Sequence, residues 1–157
     1  MQKMIVVDNE KCTGCRLCEL VCSVKHDGVS NPARSRIHII KWHNQGLYLP
    51  ILCQQCKEAA CMAVCPQDAI YRDKELNRVM VNYDLCIGCK MCVAACPFGG
   101  MGVNKDSTVI KCDLCDGDPQ CVRFCDMKAV NYVDVSKVTL TKKREVVDRF
   151  SEYMSKF

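Results

Sequence analysis

Large aromatic side chains are scarce in this 157-residue chain, which has one Trp, four Phe and five Tyr. A chain of this length can enclose one compact domain or two small fused ones, but with so few aromatics ordinary packing is thin and something else must hold the fold. No stretch of 18 apolar residues occurs, which excludes a membrane-spanning helix. The opening MQKMIVVDNEKC has no apolar h-region, no twin arginine and no small-residue cleavage site. This predicts a cytoplasmic protein in a reducing compartment, where thiols stay free, rather than a secreted disulfide scaffold. Charge runs are also missing apart from KKR at 142–144, a solvated surface stretch, so no nucleic-acid partner is expected.

What the chain has is cysteine: 16 residues, about a tenth of the total. They fall into four groups: Cys12, Cys15, Cys18 and Cys22; Cys53, Cys56, Cys61 and Cys65; Cys86, Cys89, Cys92 and Cys96; and Cys112, Cys115, Cys121 and Cys125. Every group begins Cys-x2-Cys and ends Cys-x3-Cys, with middle gaps of two, four, two and five residues. The repetition extends beyond cysteine. IVVDNEKCTGCRLCELVC and VMVNYDLCIGCKMCVAAC align throughout, and CPQDAIY (65–71) and CDMKAVNY (125–132) both run into β-type stretches. Each unit reads as short strand, cysteine loop, short helix, turn and short strand.

A Cys-x2-Cys-x2-Cys loop wraps three corners of a cubane cluster while its backbone N–H groups turn toward the sulfurs, where they help to set the potential. Gly14 and Gly88 lie inside such loops and supply the positive φ the turn needs. The last cysteine follows the third by four residues, one helical turn, and points past its own loop; this is the spacing of two-cluster ferredoxins, whose fourth cysteine ligates the other cluster. Pro66 and Pro97 fix the turn after it. Zinc would use two Cys-x2-Cys pairs per ion, and the two further cysteines in each group weigh against it. Sixteen cysteines divide into four sets of four, so no iron is left open for substrate and no catalytic residue is expected. Four 4Fe-4S clusters, each carrying roughly −2 with its thiolates, would turn the formal charge of +4 into about −4.

Between the first two groups, SRIHIIKWHNQGLYLPILC (35–53) alternates around Asn44-Gln45-Gly46 and predicts a β-hairpin. Toward the C-terminus, Thr141 is placed as an N-cap, with Val146, Val147, Phe150, Tyr153, Met154 and Phe157 on one helical stripe. That stripe suits either the protein's own body or a partner. His26, His38 and His43 lie outside the groups and receive no role, and Met62, Met91 and Met101 are read as core filling beside the cysteines.

CQQCKEAACMAVCP, DLCIGCKMCVAACPFG and KCDLCDGDPQC resemble the second, third and fourth motifs of the four-cluster iron-sulfur subunits found beside molybdenum and tungsten oxidoreductases, such as those of dimethyl sulfoxide reductase and formate dehydrogenase; the likeness covers residues 3–133. The resemblance implies nested ligation. Cluster 1 takes Cys12, Cys15, Cys18 and Cys125; cluster 2 takes Cys22, Cys112, Cys115 and Cys121; cluster 3 takes Cys53, Cys56, Cys61 and Cys96; and cluster 4 takes Cys65, Cys86, Cys89 and Cys92. The implied fold is α+β, with two nested bacterial-ferredoxin-like modules: an outer one over 1–34 and 102–135 and an inner one over 50–101. A β-hairpin insertion occupies 35–49, and a C-terminal amphipathic helix or tail occupies 136–157. Two residues depart from the family pattern. Asp126 follows Cys125 where Pro is usual, and Ala60 precedes Cys61 where Pro is common.

By this resemblance the chain is a non-catalytic subunit passing single electrons between a catalytic molybdenum or tungsten subunit and a flavin subunit or soluble ferredoxin-like carrier. An anaerobic tungsten aldehyde oxidoreductase is the expected setting. The alternatives are a polyferredoxin-type subunit of a carbon monoxide dehydrogenase, hydrogenase or benzoyl-CoA reductase complex, or a redox-responsive binding protein that uses the C-terminal stripe as its effector surface.

Overall fold

A computed structural model describes residues 3–139 together with 147, 151 and 154. Among the described residues the chain forms an α+β fold of short elements: four separate two-stranded antiparallel sheets and four α-helices, with a further helical stretch opening at Val135. Most of the predicted C-terminal stripe, including Thr141, Val146, Phe150, Tyr153 and Phe157, lies outside the described residues. Val147 and Met154 are exposed. Among the described residues no helix is long and apolar enough to cross a membrane.

Strand β1 (Lys3–Val7) pairs with β8 (Val130–Asp134) in the register Lys3↔Asp134 to Val7↔Val130, so the first and last strands close on each other. The predicted hairpin is β2 (Ile37–Trp42) and β3 (Leu47–Leu52), joined by a 3-10 turn at His43–Gln45 and by Gly46 at φ 62°. Pro50 sits opposite Ile39 and is tolerated because a two-stranded sheet leaves its ring on a free edge. Two smaller hairpins follow, β4 (Ile70–Arg72) with β5 (Val79–Val81) and β6 (Met101–Val103) with β7 (Val109–Lys111).

The helix that carries the third cysteine of each group is short in three cases: α2 (Ala60–Ala63), α3 (Met91–Ala94) and α4 (Gln120–Arg123). The exception is α1, which runs eleven residues from Leu17 to Asp27. It continues past Cys22 until Gly28, at φ 68°, caps it with an N–H bond to the Val24 carbonyl.

Burial divides the apolar residues between two cores. One gathers Ile5, Leu114 and Val130 with Ile37, Ile39 and Leu52 of the β2–β3 hairpin. The other gathers Ile70, Val79, Val81, Met101 and Val109. Cysteines complete both: Cys18, Cys22 and Cys121 in the first, Cys61 and Cys92 in the second. Thiols thus replace the missing aromatics as core filling. Arg78 crosses between the cores. With its side chain 11% exposed, it pairs with Asp73 at 3.0 Å beside β5 and with Asp116 at 2.8 Å in the turn before α4, and it donates to the Asp113 carbonyl.

Candidate metal centres

All sixteen cysteines are free thiols. The four Cys-x2-Cys loops share one backbone turn, because the residue before the second cysteine is left-handed in each: Gly14 (φ 68°), Gln55 (50°), Gly88 (67°) and Leu114 (60°). Such a conformation costs a non-glycine residue roughly 1–2 kcal/mol, so Gln55 and Leu114 must compensate for it. Leu114 does so by burial in the first core, and Gln55, 2% exposed, by hydrogen bonds described below. A second shared turn follows the last cysteine in three groups. The N–H groups of Asp68, Gly99 and Lys128, all at positive φ, donate to the carbonyls of Cys65, Cys96 and Cys125 at 3.4, 3.4 and 3.1 Å. Asp126 in place of proline therefore leaves the turn intact, and Ala60 opens α2 at the first helical position, where proline is also accepted.

The cysteines converge in sets drawn from different groups. Cys12, Cys15 and Cys18 line one cavity together with Cys125, under Ile39 and Pro50 of the hairpin. Burial, then the neighbouring Glu19 and Cys15, pushes the Cys18 thiol up to about 12. The Gly14 loop lies so close beneath Tyr48 that a Cβ there would sit 2.5 Å from the ring. Glu19, fully buried, accepts from Arg16 Nε at 2.7 Å and from the Ile39 N–H at 2.6 Å, fastening the hairpin to α1.

In a second cavity, Cys65 lies with Cys86, Cys89 and Cys92. The two exposed cysteines, Cys15 and Cys89, belong to these two cavities, one each. Exposed apolar residues surround both, Phe124 and Met127 at the first and Ile87 and Met91 at the second.

The remaining eight cysteines line neither of these two cavities. Burial drives the Cys121 thiol pKa well above the usual range, and the neighbouring Cys112, Cys22, Cys115 and Cys18 reinforce it. The Arg36 N–H donates to Cys22 Sγ at 3.3 Å, and His26 Nε2 stands 3.6 Å from Cys115 Sγ and 3.4 Å from Asp113. His26 therefore lies at a thiol set despite standing outside the cysteine groups. In the last set, burial raises the Cys61 thiol, Lys111 opposes it, and Cys53 and Cys96 add to it. Cys56 is the third residue on from Cys53, past Gln55, and its carbonyl accepts from Arg72 Nη2. The Gly100 N–H donates to Cys96 Sγ at 3.3 Å, and a Cβ on Gly100 would lie 2.5 Å from Cys53 Cα, so glycine permits the approach that brings Cys96 to Cys53.

Two buried residues join the middle sets. Gln55 donates through Nε2 to the Cys112 carbonyl at 2.8 Å and accepts at Oε1 from the Val79 N–H at 2.7 Å. Lys111, 5% exposed, places Nζ 3.0 Å from Cys53 Sγ, 3.4 Å from Gln55 Oε1 and 3.4 Å from the Cys112 carbonyl. Of the methionines read as core filling, Met101 is buried, Met62 is half-buried and Met91 is exposed; His38 is half-buried in β2.

Sixteen free thiols, with backbone N–H donors aimed at the sulfurs of Cys22, Cys53 and Cys96, are a donor set suited to thiolate-ligated iron-sulfur clusters. With burial holding Cys18 and Cys112 up to about 12, these two thiols stay protonated near neutral pH until a metal displaces the protons.

Comparison with known proteins points the same way. A family model described as a 4Fe-4S dicluster domain matches residues 44–135, and one described as a 4Fe-4S binding domain matches residues 5–25. The polyferredoxin-like subunit of an aliphatic sulfonate oxidoreductase from Pyrococcus furiosus is 42% identical, over 77% of this chain and 70% of its own length. Electron transport protein HydN of Escherichia coli is 37% identical over 88% of this chain and 91% of its own. Among solved structures, a chain of the BamBC active-site complex of benzoyl coenzyme A reductase aligns with TM-score 0.51 and 26% identity, covering 94% of this chain and 90% of that one.

Proposed function

The chain belongs to the 4Fe-4S dicluster-domain family of electron-transport proteins, and from that premise we propose that it is an electron conduit of four clusters in a row. Each of the four cysteine sets holds one cluster: Cys12, Cys15, Cys18 and Cys125; then Cys22, Cys112, Cys115 and Cys121; then Cys53, Cys56, Cys61 and Cys96; then Cys65, Cys86, Cys89 and Cys92. Helix α1 carries Cys18 and Cys22 and so couples the first set to the second. The α2 segment, with Cys61 and then Cys65 just after it, couples the third to the fourth. Lys111 and Gln55 couple the middle two. When bound, the clusters supply one-electron redox chemistry; the chain holds them close, shields them and donates hydrogen bonds to their thiolates.

The observation that carries this reading is that Cys15 and Cys89, the exposed cysteines, fall one in each end set while the middle sets have none. A storage or purely structural site has no need of two surface openings, whereas a conduit needs an entry and an exit. The outer cysteine sets share the first core with the β2–β3 hairpin, and the inner sets share the second core with β4 to β7, which supports a nested two-module organisation.

The chain itself is non-catalytic. Its partner is the catalytic subunit of an oxidoreductase complex, of the tungsten or molybdenum type and with an aldehyde-oxidising tungsten enzyme as the specific assignment. A flavin subunit or soluble carrier meets the other end, in an anaerobic cytoplasm. A benzoyl-CoA reductase-type complex is a second setting, favoured by the structural likeness to BamBC. Iron and acid-labile sulfide analysis of anaerobically purified protein tests the conduit; fewer than about three clusters per chain would sink it. The identity of the co-purifying subunit decides between the settings, and finding neither tungsten nor molybdenum in it removes the tungsten or molybdenum assignment.

A further inference from the structure

Lys111 ends β7 in a place where a lysine is costly. It is 5% exposed, and among the described residues no carboxylate forms an ion pair with it. A buried ammonium is strongly unfavourable unless a negative group meets it. The closest polar atom to Nζ is Cys53 Sγ, at 3.0 Å; the other two contacts, Gln55 Oε1 and the Cys112 carbonyl, are neutral. The compensating charge must therefore come from the thiolate that Cys53 becomes on binding metal. Gln55 fixes the geometry, since its Oε1 is shared between the ammonium and the Val79 N–H, and its Nε2 ties it to the Cys112 carbonyl. The ammonium thus stands at the seam, touching a thiol of the third set and the backbone carbonyl of a cysteine of the second.

We propose that Lys111 is a positioning residue that raises the reduction potential of the site containing Cys53 and so makes the seam between the two modules the place where a travelling electron comes to rest. The inference rests on the four-cluster reading above. Its physical basis is simple: reduction adds one electron and no proton to the site, and a fixed positive charge beside the thiolate stabilises the more negative state more strongly than the oxidised one. Because the charge also acts on Cys61 and Cys112, the neighbouring middle site moves in the same direction by less, while the end sites are unaffected.

The test is an anaerobic redox titration with dithionite as the one-electron reductant, followed by electron paramagnetic resonance, on wild-type, Lys111→Met and Lys111→Arg proteins. Cys61→Ser serves to mark which couple belongs to the Cys53 site. Lys111→Met should make that site at least about tenfold harder to reduce, 59 mV for a one-electron couple. Lys111→Arg, which keeps the charge, should restore most of that difference. An unmoved couple in Lys111→Met with full iron content overturns the inference, as does an Arg variant as impaired as the Met one, which would assign the effect to packing. Should Lys111→Met fail to load, wild-type protein labelled with nitrogen-15 at the lysine side chain decides the matter. Pulsed resonance of the reduced protein should detect the label coupled to one cluster, and no coupling overturns the inference. Iron and sulfide short of four clusters in wild-type protein would instead remove the reading on which it rests.

Discussion

Gly14 and Gly88 occupy equivalent places in two repeats, yet replacing each with alanine should have unequal effects. Both are left-handed, at φ 68° and 67°, so both substitutions carry the same backbone cost of roughly 1–2 kcal/mol. Their surroundings differ. A Cβ on Gly14 would meet the Tyr48 ring at 2.5 Å, whereas one on Gly88 would meet nothing nearer than the Ser107 carbonyl at 3.7 Å. Overpacking of this kind adds roughly 1–3 kcal/mol. If cluster loss proceeds through opening of the loop, Gly88→Ala should speed the fastest phase of bleaching by a factor of about 5 to 30. Gly14→Ala should speed it by about tenfold more for each further 1.4 kcal/mol. The assay is anaerobic bleaching of visible absorbance in excess iron chelator. Tyr48→Leu in the Gly14→Ala background removes the ring and should return the rate to near that of Gly88→Ala. Equal rates for the two glycine variants, or no rescue by Tyr48→Leu, would refute the claim that the hairpin seats directly on the first cysteine loop.

Cys96→Ser should disturb the site of Cys53, Cys56 and Cys61 while leaving that of Cys86, Cys89 and Cys92 intact; resonance spectra in which the latter changes and the former does not would reverse the crossed ligation. Arg78→Ala should destabilise the protein by about 1.5–3 kcal/mol, as expected for largely buried hydrogen bonds to charged groups, read as a lower denaturant midpoint with unaltered cluster content as purified. Glu19→Leu leaves the Ile39 N–H without its acceptor and should cost about 1–3 kcal/mol; a denaturant midpoint equal to wild type would show that the hairpin is held by packing alone.

The parts of the fold that sequence made legible are those with local causes. Regular cysteine spacing, glycine inside two loops and alternation around Asn44-Gln45-Gly46 all act within a few residues, and the loops and the hairpin stand where they were expected. The end of α1 was legible in principle, from the glycine at position 28. Gln55 and Leu114 were not, because a left-handed turn is ordinarily sought through glycine, and here side chains with work elsewhere override that preference. Lys111, Arg78, Glu19 and His26 act through contacts between segments 20 to 89 residues apart. The one sequence signal for Glu19 was a carboxylate on the inward stripe of α1, between Cys18 and Cys22. Lys111 gave none, since a lysine ending an apolar strand reads as surface.

The pairing of β1 with β8 bears on how the protein is made. Synthesis runs from the N-terminus, so Lys3–Val7 leaves the ribosome long before Val130–Asp134 exists to receive it. The inner hairpins and both inner cysteine sets are complete once Lys111 has emerged. The nascent chain can therefore close and load its inner half while its first strand and first cysteine loop still wait, thiols exposed, for the last. Oxygen or copper encountered during that interval would strike the end of the molecule that was synthesised first and folds last.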